Sequence, residues 1–309
     1  ANFSKHEFKG PDARKFLDHI MAGKLPKPGR ISLTPMLTYR GKLYGDLTVA
    51  CLDENEFMVF GSGAAQEMHR RWFESHLEKF NLQYKNRSDE FHGLGIAGPK
   101  SRELLQKVVR ESVSNDSFKF RDSRKMFVAG VPAIVNRISF TGELGYEIYV
   151  APHFQLKLYE ELTKAGKEFN IKPFGGRALM SMRLEKNWGA WTLDYRPDFT
   201  AKETGLDVFI NWNKDFIGKD CAQKDESKNK LVPLIVETND IDVTYNEAVL
   251  KGDKSIGYIT SGGFAHFVNK SVAFSYVDQN ELKSEKGIQV EINGDFFNCS
   301  IIKEPLYDP

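Results

Sequence analysis

The sequence predicts an α+β protein built from two related modules and completed by an all-β barrel, and three observations carry that reading. First, Phe8-Lys9-Gly10-Pro11-Asp12-Ala13-Arg14-Lys15-Phe16-Leu17, followed by Ile20 and Met21, recurs 88 residues later as Ile96-Ala97-Gly98-Pro99-Lys100-Ser101-Arg102-Glu103-Leu104-Leu105, followed by Val108 and Val109. Each copy reads as a strand ending in Gly, a Pro at the first helical position, then apolar pairs at helical spacing. Second, residues 133–140 and 146–150 read as a hairpin around Thr141-Gly142-Glu143-Leu144-Gly145. Third, beyond about Phe216 the helical period gives way to short apolar runs separated by turn clusters, the pattern of a barrel. The two interleaved modules are expected in residues 1–225 and the barrel in 226–309, with the 133–150 hairpin free to pair back onto the first strands.

In chain order, residues 3–8 form a strand-like run at the very start. Residues 44–52 and 56–60 read as strands joined by Asp53-Glu54-Asn55, and a helix follows that carries Met68, Trp72, Phe73, Leu77 and Phe80. Phe154, Leu158 and Leu162 mark another helix, and residues 178–188 a further one. The barrel strands are expected at 232–236, 257–260, 272–277 and 288–292, with the charged stretch 224–230 as a linker or a solvated face.

Composition narrows the class. Of 309 residues, 41% are hydrophobic and 12% aromatic, enough for sizeable cores. Lys plus Arg number 43 against 42 Asp plus Glu, a balance that argues against a nucleic-acid partner. No apolar run approaches the ~18 residues of a membrane-spanning helix. Cys51, Cys221 and Cys299 lie far apart, forming neither a disulfide framework nor a CxxC metal site, so a reducing, cytoplasmic setting is expected (the mitochondrial matrix in a eukaryote). The chain starts at Ala1 without a signal-like segment, which predicts a processed chain or a fragment of something longer.

Several residues are candidates for chemistry. Phe60-Gly61-Ser62-Gly63 half resembles a dinucleotide fingerprint, but Gln66 stands where the third glycine belongs, so it reads as a strand-to-helix turn. His69 and His76 share a helix face two turns, roughly 10.5 Å, apart, too far to share a metal, and no metal site is expected. Asp46 interrupts an apolar strand in alternation with Leu47 and Val49. It is either an outward-facing strand residue or turn cap, or a proton acceptor that steadies a developing cation. Glu147 shares a strand face with Tyr149 and is either solvent-facing or the partner of a flat heterocycle's N–H groups. Arg177 follows Gly175-Gly176 at a helix start, where it is either exposed or engaged by an anion.

Taken together the segments resemble the aminomethyltransferases of the glycine-cleavage T-protein family. Phe140-Thr141-Gly142-Glu143-Leu144-Gly145-Tyr146-Glu147-Ile148 is similar to that family's Y-T-G-E-x-G-x-E-[IL] signature, and Gly41-Lys42-Leu43-Tyr44-Gly45-Asp46-Leu47-Thr48-Val49 to its G-x-x-x-D-D-L-T-V strand. Gly175-Gly176-Arg177-Ala178-Leu179 with Arg183-Leu184-Glu185, Asp215-Phe216-Ile217-Gly218-Lys219 and Gly257-Tyr258-Ile259-Thr260-Ser261-Gly262 match further blocks in the family's order. Gly45 departs from the usual pair of acids. Trp188-Gly189-Ala190-Trp191, Tyr195-Arg196-Pro197 and Ser261-Gly262-Gly263-Phe264-Ala265-His266 look more like the C-terminal folate-binding region of dimethylglycine and sarcosine dehydrogenases.

The resemblance implies a T-protein-like fold of two ferredoxin-like modules and a barrel around a central cavity that binds tetrahydrofolate. It implies capture of an iminium or aminomethyl carbon from an amine-derived donor to give 5,10-methylenetetrahydrofolate. Asp46 is then the residue near the reactive nitrogens, and Glu147, Arg177, Phe140 and Tyr149 bind the folate. Phe140 replaces a Tyr, so its hydroxyl contact is lost. His266 and Tyr195 are expected on the donor side, with His266 near the central cavity. No flavin site is expected within the chain; a flavin oxidoreductase domain or subunit is an implied partner. The alternatives are a folate-dependent demethylase acting on a sulfonium or amine, a non-catalytic folate binder, and a structural domain of a flavoenzyme.

Overall fold

The computed structural model describes residues 3–238, 240–284 and 286–309. Its first module contains β1 (Phe3–Lys9), α1 (Ala13–Ile20), β2 (Arg30–Leu37), β3 (Leu43–Asp53), β4 (Glu56–Ser62), α2 (Gln66–Glu74) and β5 (Gln83–Asn86). The second contains β6 (His92–Ala97), α3 (Ser101–Val108), β7 (Ser123–Val128), β8 (Val131–Asn136), β9 (Gly145–Val150) and α4 (Gln155–Gly166). The sheets run β2-β3-β4-β1-β5 and β6-β9-β8-β7. Omitting β2, the first is the ferredoxin-like βαββαβ arrangement; the second repeats it without a last strand.

The internal repeat is structural. Helices α1 and α3 start and end 88 residues apart. The glycines before them, Gly10 and Gly98, take φ of 139° and 128°, which an L side chain rarely adopts. The prolines stand two positions before the first helical residue rather than at it. Each Gly carbonyl first closes a turn by accepting from Ala13 or Ser101, at 3.1 and 3.0 Å, so the helix begins after Asp12 or Lys100.

The hairpin 133–150 does not pair back onto the first strands. Strand β9 is the counterpart of β4, and as β4 pairs with β1, β9 pairs with β6, the counterpart of β1. Its first strand ends at Asn136 rather than 140, where the Ser139 hydroxyl turns the chain by accepting from the Thr141 N–H at 3.1 Å. Helix α2 stops at Glu74, and Leu77 and Phe80 reach the core from the turns that follow.

Each sheet has two packed faces. Phe8, Phe16, Leu47, Val49, Cys51, Val59 and Phe73 form the core between the first sheet and its helices, and Leu105, Val135, Tyr146, Ile148 and Leu158 do the same in the second. The opposite faces meet in a third core of Ile31, Ala50, Met58, Phe60, Ile134 and Tyr149. The layers therefore run helix, sheet, sheet, helix.

Helix α5 (Gly176–Glu185) and the short α6 (Ala201–Thr204) and α7 (Lys219–Gln223) lead into the barrel. Helix α5 ends before 188 because Asn187 turns left-handed, with φ of 61°. The barrel comprises β10 (Asn229–Val236), β11 (Ala248–Lys251), β12 (Lys254–Ala265), β13 (Lys270–Asp278), β14 (Ile288–Ile292) and β15 (Asp295–Ile301). It closes as β10-β13-β12-β11-β14-β15. Helix α7 lies beyond the point where helical periodicity was expected to cease; five residues are too few to show a period.

One buried ion pair ties barrel to modules. Arg183 on α5 meets Asp194 at 2.6 Å, with side chains 1% and 0% exposed. Asp194 also accepts from the Ala190 N–H at 2.9 Å and from the hydroxyls of Thr260 and Ser261 on β12, while its carbonyl accepts from Tyr276 on β13 at 2.7 Å. Removing one partner leaves the other charge buried and alone. Asp194→Ala is expected to lower unfolding free energy in urea by about 3–5 kcal/mol; a loss below about 1 kcal/mol would show the pair to be dispensable.

Candidate active site

Strand β3 carries Asp46 immediately after an irregularity. Its pairing with β2 passes from Met36↔Gly45 to Leu37↔Leu43, leaving Tyr44 as an extra, unpaired residue, a β-bulge. From there Leu47, Val49 and Cys51 face the helices, so Asp46, Thr48 and Ala50 face the other sheet. Asp46 is half-buried, and burial raises its carboxyl to about 7, partly offset by a backbone hydrogen bond. It is not an outward-facing surface residue.

Tyr195 is its electrostatic neighbour. Burial and then the Asp46 charge push the Tyr195 phenol upward. Its hydroxyl accepts the Gly189 N–H at 3.2 Å, and a Cβ at Gly189 would stand 2.5 Å from the ring. Tyr195 is thereby fixed in the small core that also holds Leu37 and Leu43.

On the facing sheet, Glu147 and Tyr149 lie on the same side of β9. The Tyr149 hydroxyl donates to Glu147 Oε2 at 2.8 Å, and its ring stacks on Phe60 with centroids 4.5 Å apart. Phe60 pairs across the ladder with Thr48, two residues from Asp46. This relay places both carboxylates on the inner faces of the two sheets. Burial raises Glu147 to about 7, while the Tyr149 hydroxyl and the Lys186 ammonium work against the rise. Glu147 is half-buried, so its carboxyl is desolvated yet still reached by solvent.

The signature loop before Glu147 is held by the chain's end. A Cβ at Gly142, whose φ is 80°, would lie 2.4 Å from the Tyr307 carbonyl, and the Tyr307 hydroxyl donates to Glu143 at 3.0 Å. Lys186 donates to the Ser139 carbonyl at 2.6 Å from the other side.

The remaining candidates sit further out. Arg177 is exposed on the first turn of α5, with no hydrogen bond or ion pair among the described residues. Phe140 is half-buried in the signature loop. His266 is exposed in the β12–β13 turn, its ring edge-on to Phe264 at 5.1 Å. That turn docks on α5, where the Phe267 N–H donates to Glu185 at 2.6 Å and Ser181 donates to the Phe264 carbonyl. Sequence reasoning missed Lys186 and Asp194. Lys186 carries no local signal; Asp194, a single acid between Trp191 and Tyr195, could have been noticed.

Residues 1–214 match the GCVT N-terminal domain family, and residues 229–308 the glycine cleavage T-protein C-terminal barrel domain family. The chain belongs to the glycine cleavage T-protein family. It is 37% identical to human mitochondrial dimethylglycine dehydrogenase over 98% of this chain and 36% of that protein. It is 30% identical to an aminomethyltransferase of Caldanaerobacter subterraneus subsp. tengcongensis, covering 97% of this chain and 81% of that one. The chain thus spans about a third of the length of the dehydrogenases it matches. The crystal structure of the glycine cleavage system aminomethyltransferase T from Bartonella henselae superposes with a TM-score of 0.89 at 22% identity, over 99% of this chain and 84% of that one. The T-protein-like fold and the aminomethyltransferase class read from the motifs both stand, in a family of tetrahydrofolate-dependent transferases. No helix of the described residues is long and apolar enough to cross a membrane.

A carboxyl raised by folding destabilises the folded state as pH climbs from its unfolded value toward its folded one, and the effect is absent below the unfolded value. Asp46→Asn removes that cost. The variant is expected to melt about 2–4 °C above wild type at pH 8 and within about 1 °C of it at pH 4. Equal melting temperatures at both pH values would mean that Asp46 is not desolvated.

Proposed function

We propose that the chain moves a one-carbon unit, presented as the iminium or aminomethyl group of an amine, onto tetrahydrofolate to give 5,10-methylenetetrahydrofolate. We further propose that it acts as the folate region of a dimethylglycine or sarcosine dehydrogenase-like protein, with a flavin domain or subunit oxidising the amine. The observation that carries this reading is the pair of desolvated carboxyls, Asp46 and Glu147, on facing sheets. The match to dehydrogenases nearly three times as long, mitochondrial in mammals, supports a partner that supplies the donor.

The residues present suit a reduced pterin. Glu147 keeps one oxygen occupied by Tyr149, and its remaining lone pairs can accept two adjacent ring N–H groups. Tyr149, locked by Phe60, holds the carboxylate in plane. Arg177, exposed and uncommitted, meets a carboxylate of the folate tail. Phe140 offers an apolar edge with no hydroxyl. Tetrahydrofolate supplies the two nitrogens that receive the carbon. Asp46, raised to about 7, accepts the proton released there, and its charge steadies the cationic donor. Tyr195 and His266 are assigned to the donor side.

Transfer to tetrahydrofolate from N-(hydroxymethyl)sarcosine, which loses water to the iminium and releases sarcosine, tests the activity. Asp46→Asn is expected to slow it ~10²-fold or more with folate affinity little changed; a rate within about threefold of wild type would make Asp46 an ordinary strand residue. Glu147→Ala should weaken binding of a stable reduced folate by about 10- to 100-fold in calorimetry, and Glu147→Gln should weaken it too by presenting donors to donors. Arg177→Ala should cost less, because exposed ion pairs contribute only ~0–1 kcal/mol. Binding needs the ionised Glu147, so affinity should be about tenfold weaker at pH 6 than at pH 8. Unchanged binding in folded Glu147→Ala would remove the pterin site from this face.

A further inference from the structure

We propose that His69 is a positioning residue for Asp46: its imidazole captures the carbonyl that the β3 bulge takes out of the ladder, and so fixes the face on which Asp46 stands. The inference rests on the role given to Asp46 above. Tyr44, the extra residue of the bulge, packs on the helix-side core beside Leu47, and its ring lies 4.7 Å from that of Trp72. Strict alternation from Tyr44 would carry Asp46 to the same side, into an apolar core. With one residue inserted, Tyr44 and Leu47 both face the helices and Asp46 faces the second sheet.

The Tyr44 carbonyl is claimed by His69 on α2. Nε2 of His69 lies 2.9 Å from that oxygen, which can only accept, so Nε2 carries the proton. The ring fits because two neighbouring strands carry glycine there. A Cβ at Gly45 on β3 would stand 3.0 Å from Nε2, and one at Gly61 on β4 3.1 Å from Nδ1. Gly45 occupies the position of the family's first acid, so in this chain the imidazole takes the space that a side chain would need. Gly61, which looked like part of a failed nucleotide motif, is the other wall of the same notch.

The imidazole is not explained by packing. His69 is 1% exposed, and its Nδ1 is buried without a hydrogen-bond partner among the described residues. An orphaned acceptor costs stability that an apolar residue of similar shape would not. Burial lowers the ring's pKa to about 4, so it remains a neutral donor throughout the working range. His69 also reaches the donor-side segment: its ring is 5.9 Å from Trp191, whose backbone bridges to Tyr195.

The test is a ¹³C-carboxyl NMR titration of the full chain, with Asp46→Asn assigning the resonance. Asp46 is expected to titrate near 7 in wild type. His69→Leu, which frees the bulge and lets Asp46 turn toward the apolar core, should move that titration by about one pH unit or more, whereas His69→Gln, whose amide donor reaches about as far as Nε2, should hold it near the wild-type value. With N-(hydroxymethyl)sarcosine as donor, His69→Leu should lower kcat about tenfold or more with the tetrahydrofolate KM within about twofold, and His69→Gln should restore most of the loss. A folded His69→Leu in which Asp46 titrates as in wild type overturns the proposal. If His69→Leu does not fold, Gly45→Ala perturbs the same contact, and an unmoved Asp46 titration there overturns it equally. Failure of the Asp46 role itself reads differently: the titration moves as stated while Asp46→Asn transfers at the wild-type rate.

Discussion

The molecule depends on one constraint, the packing of two sheets against each other through faces that a strand's period of two fills with every second residue. Each sheet already spends one face on its helices, so whatever the alternate positions carry is shut between the sheets. Most of those positions are apolar: Ala50, Met58 and Phe60 from one sheet, Ile134 and Tyr149 from the other. Asp46 and Glu147 are among the departures. The same desolvation that costs stability at those two places brings both carboxyls to about 7, where a group can exchange a proton near neutrality.

The barrel joins that arrangement through Asp194. Its carboxylate gathers α5, the 188–196 segment and β12 into one network, and its carbonyl adds β13. The next residue, Tyr195, stands beside Asp46. The barrel's anchor and the electrostatic neighbour of the first carboxylate are thus consecutive residues. The second carboxylate has its own support, since the last residues of the chain brace the signature loop through Tyr307. Both supports join segments far apart in sequence.

What could be read from the residues was local. The 88-residue repeat was legible because strand, glycine turn and helix each leave a short-range mark, and both copies fold as read apart from the place of the proline. Strand β2 was hidden by Pro35, which a strand tolerates at a sheet edge, where β2 lies. Strand β11 is only four residues long, and β15 exposes residues such as Phe296. The motifs placed the candidate residues in order but not their surroundings. Whether Asp46 and Glu147 face water depends on inward residues of the opposite sheet far along the chain, such as Ile134 for Asp46 and Phe60 for Glu147, and the bulge at Tyr44 reverses the side that alternation from Tyr44 gives. Arg183 lay in a motif block and Asp194 stood out as a single acid, but nothing local joined them, because their pairing depends on the barrel strands that close over it.

A crystal structure of the chain with 5-formyltetrahydrofolate, a stable reduced folate, tests most directly whether the space between the sheets is the working site. The pterin edge should lie within hydrogen-bonding distance of the Glu147 carboxylate, with Asp46 facing the nitrogens that receive the carbon. A folate bound outside the two inner faces, with Glu147 and Asp46 touching neither ring nor linker, would contradict it.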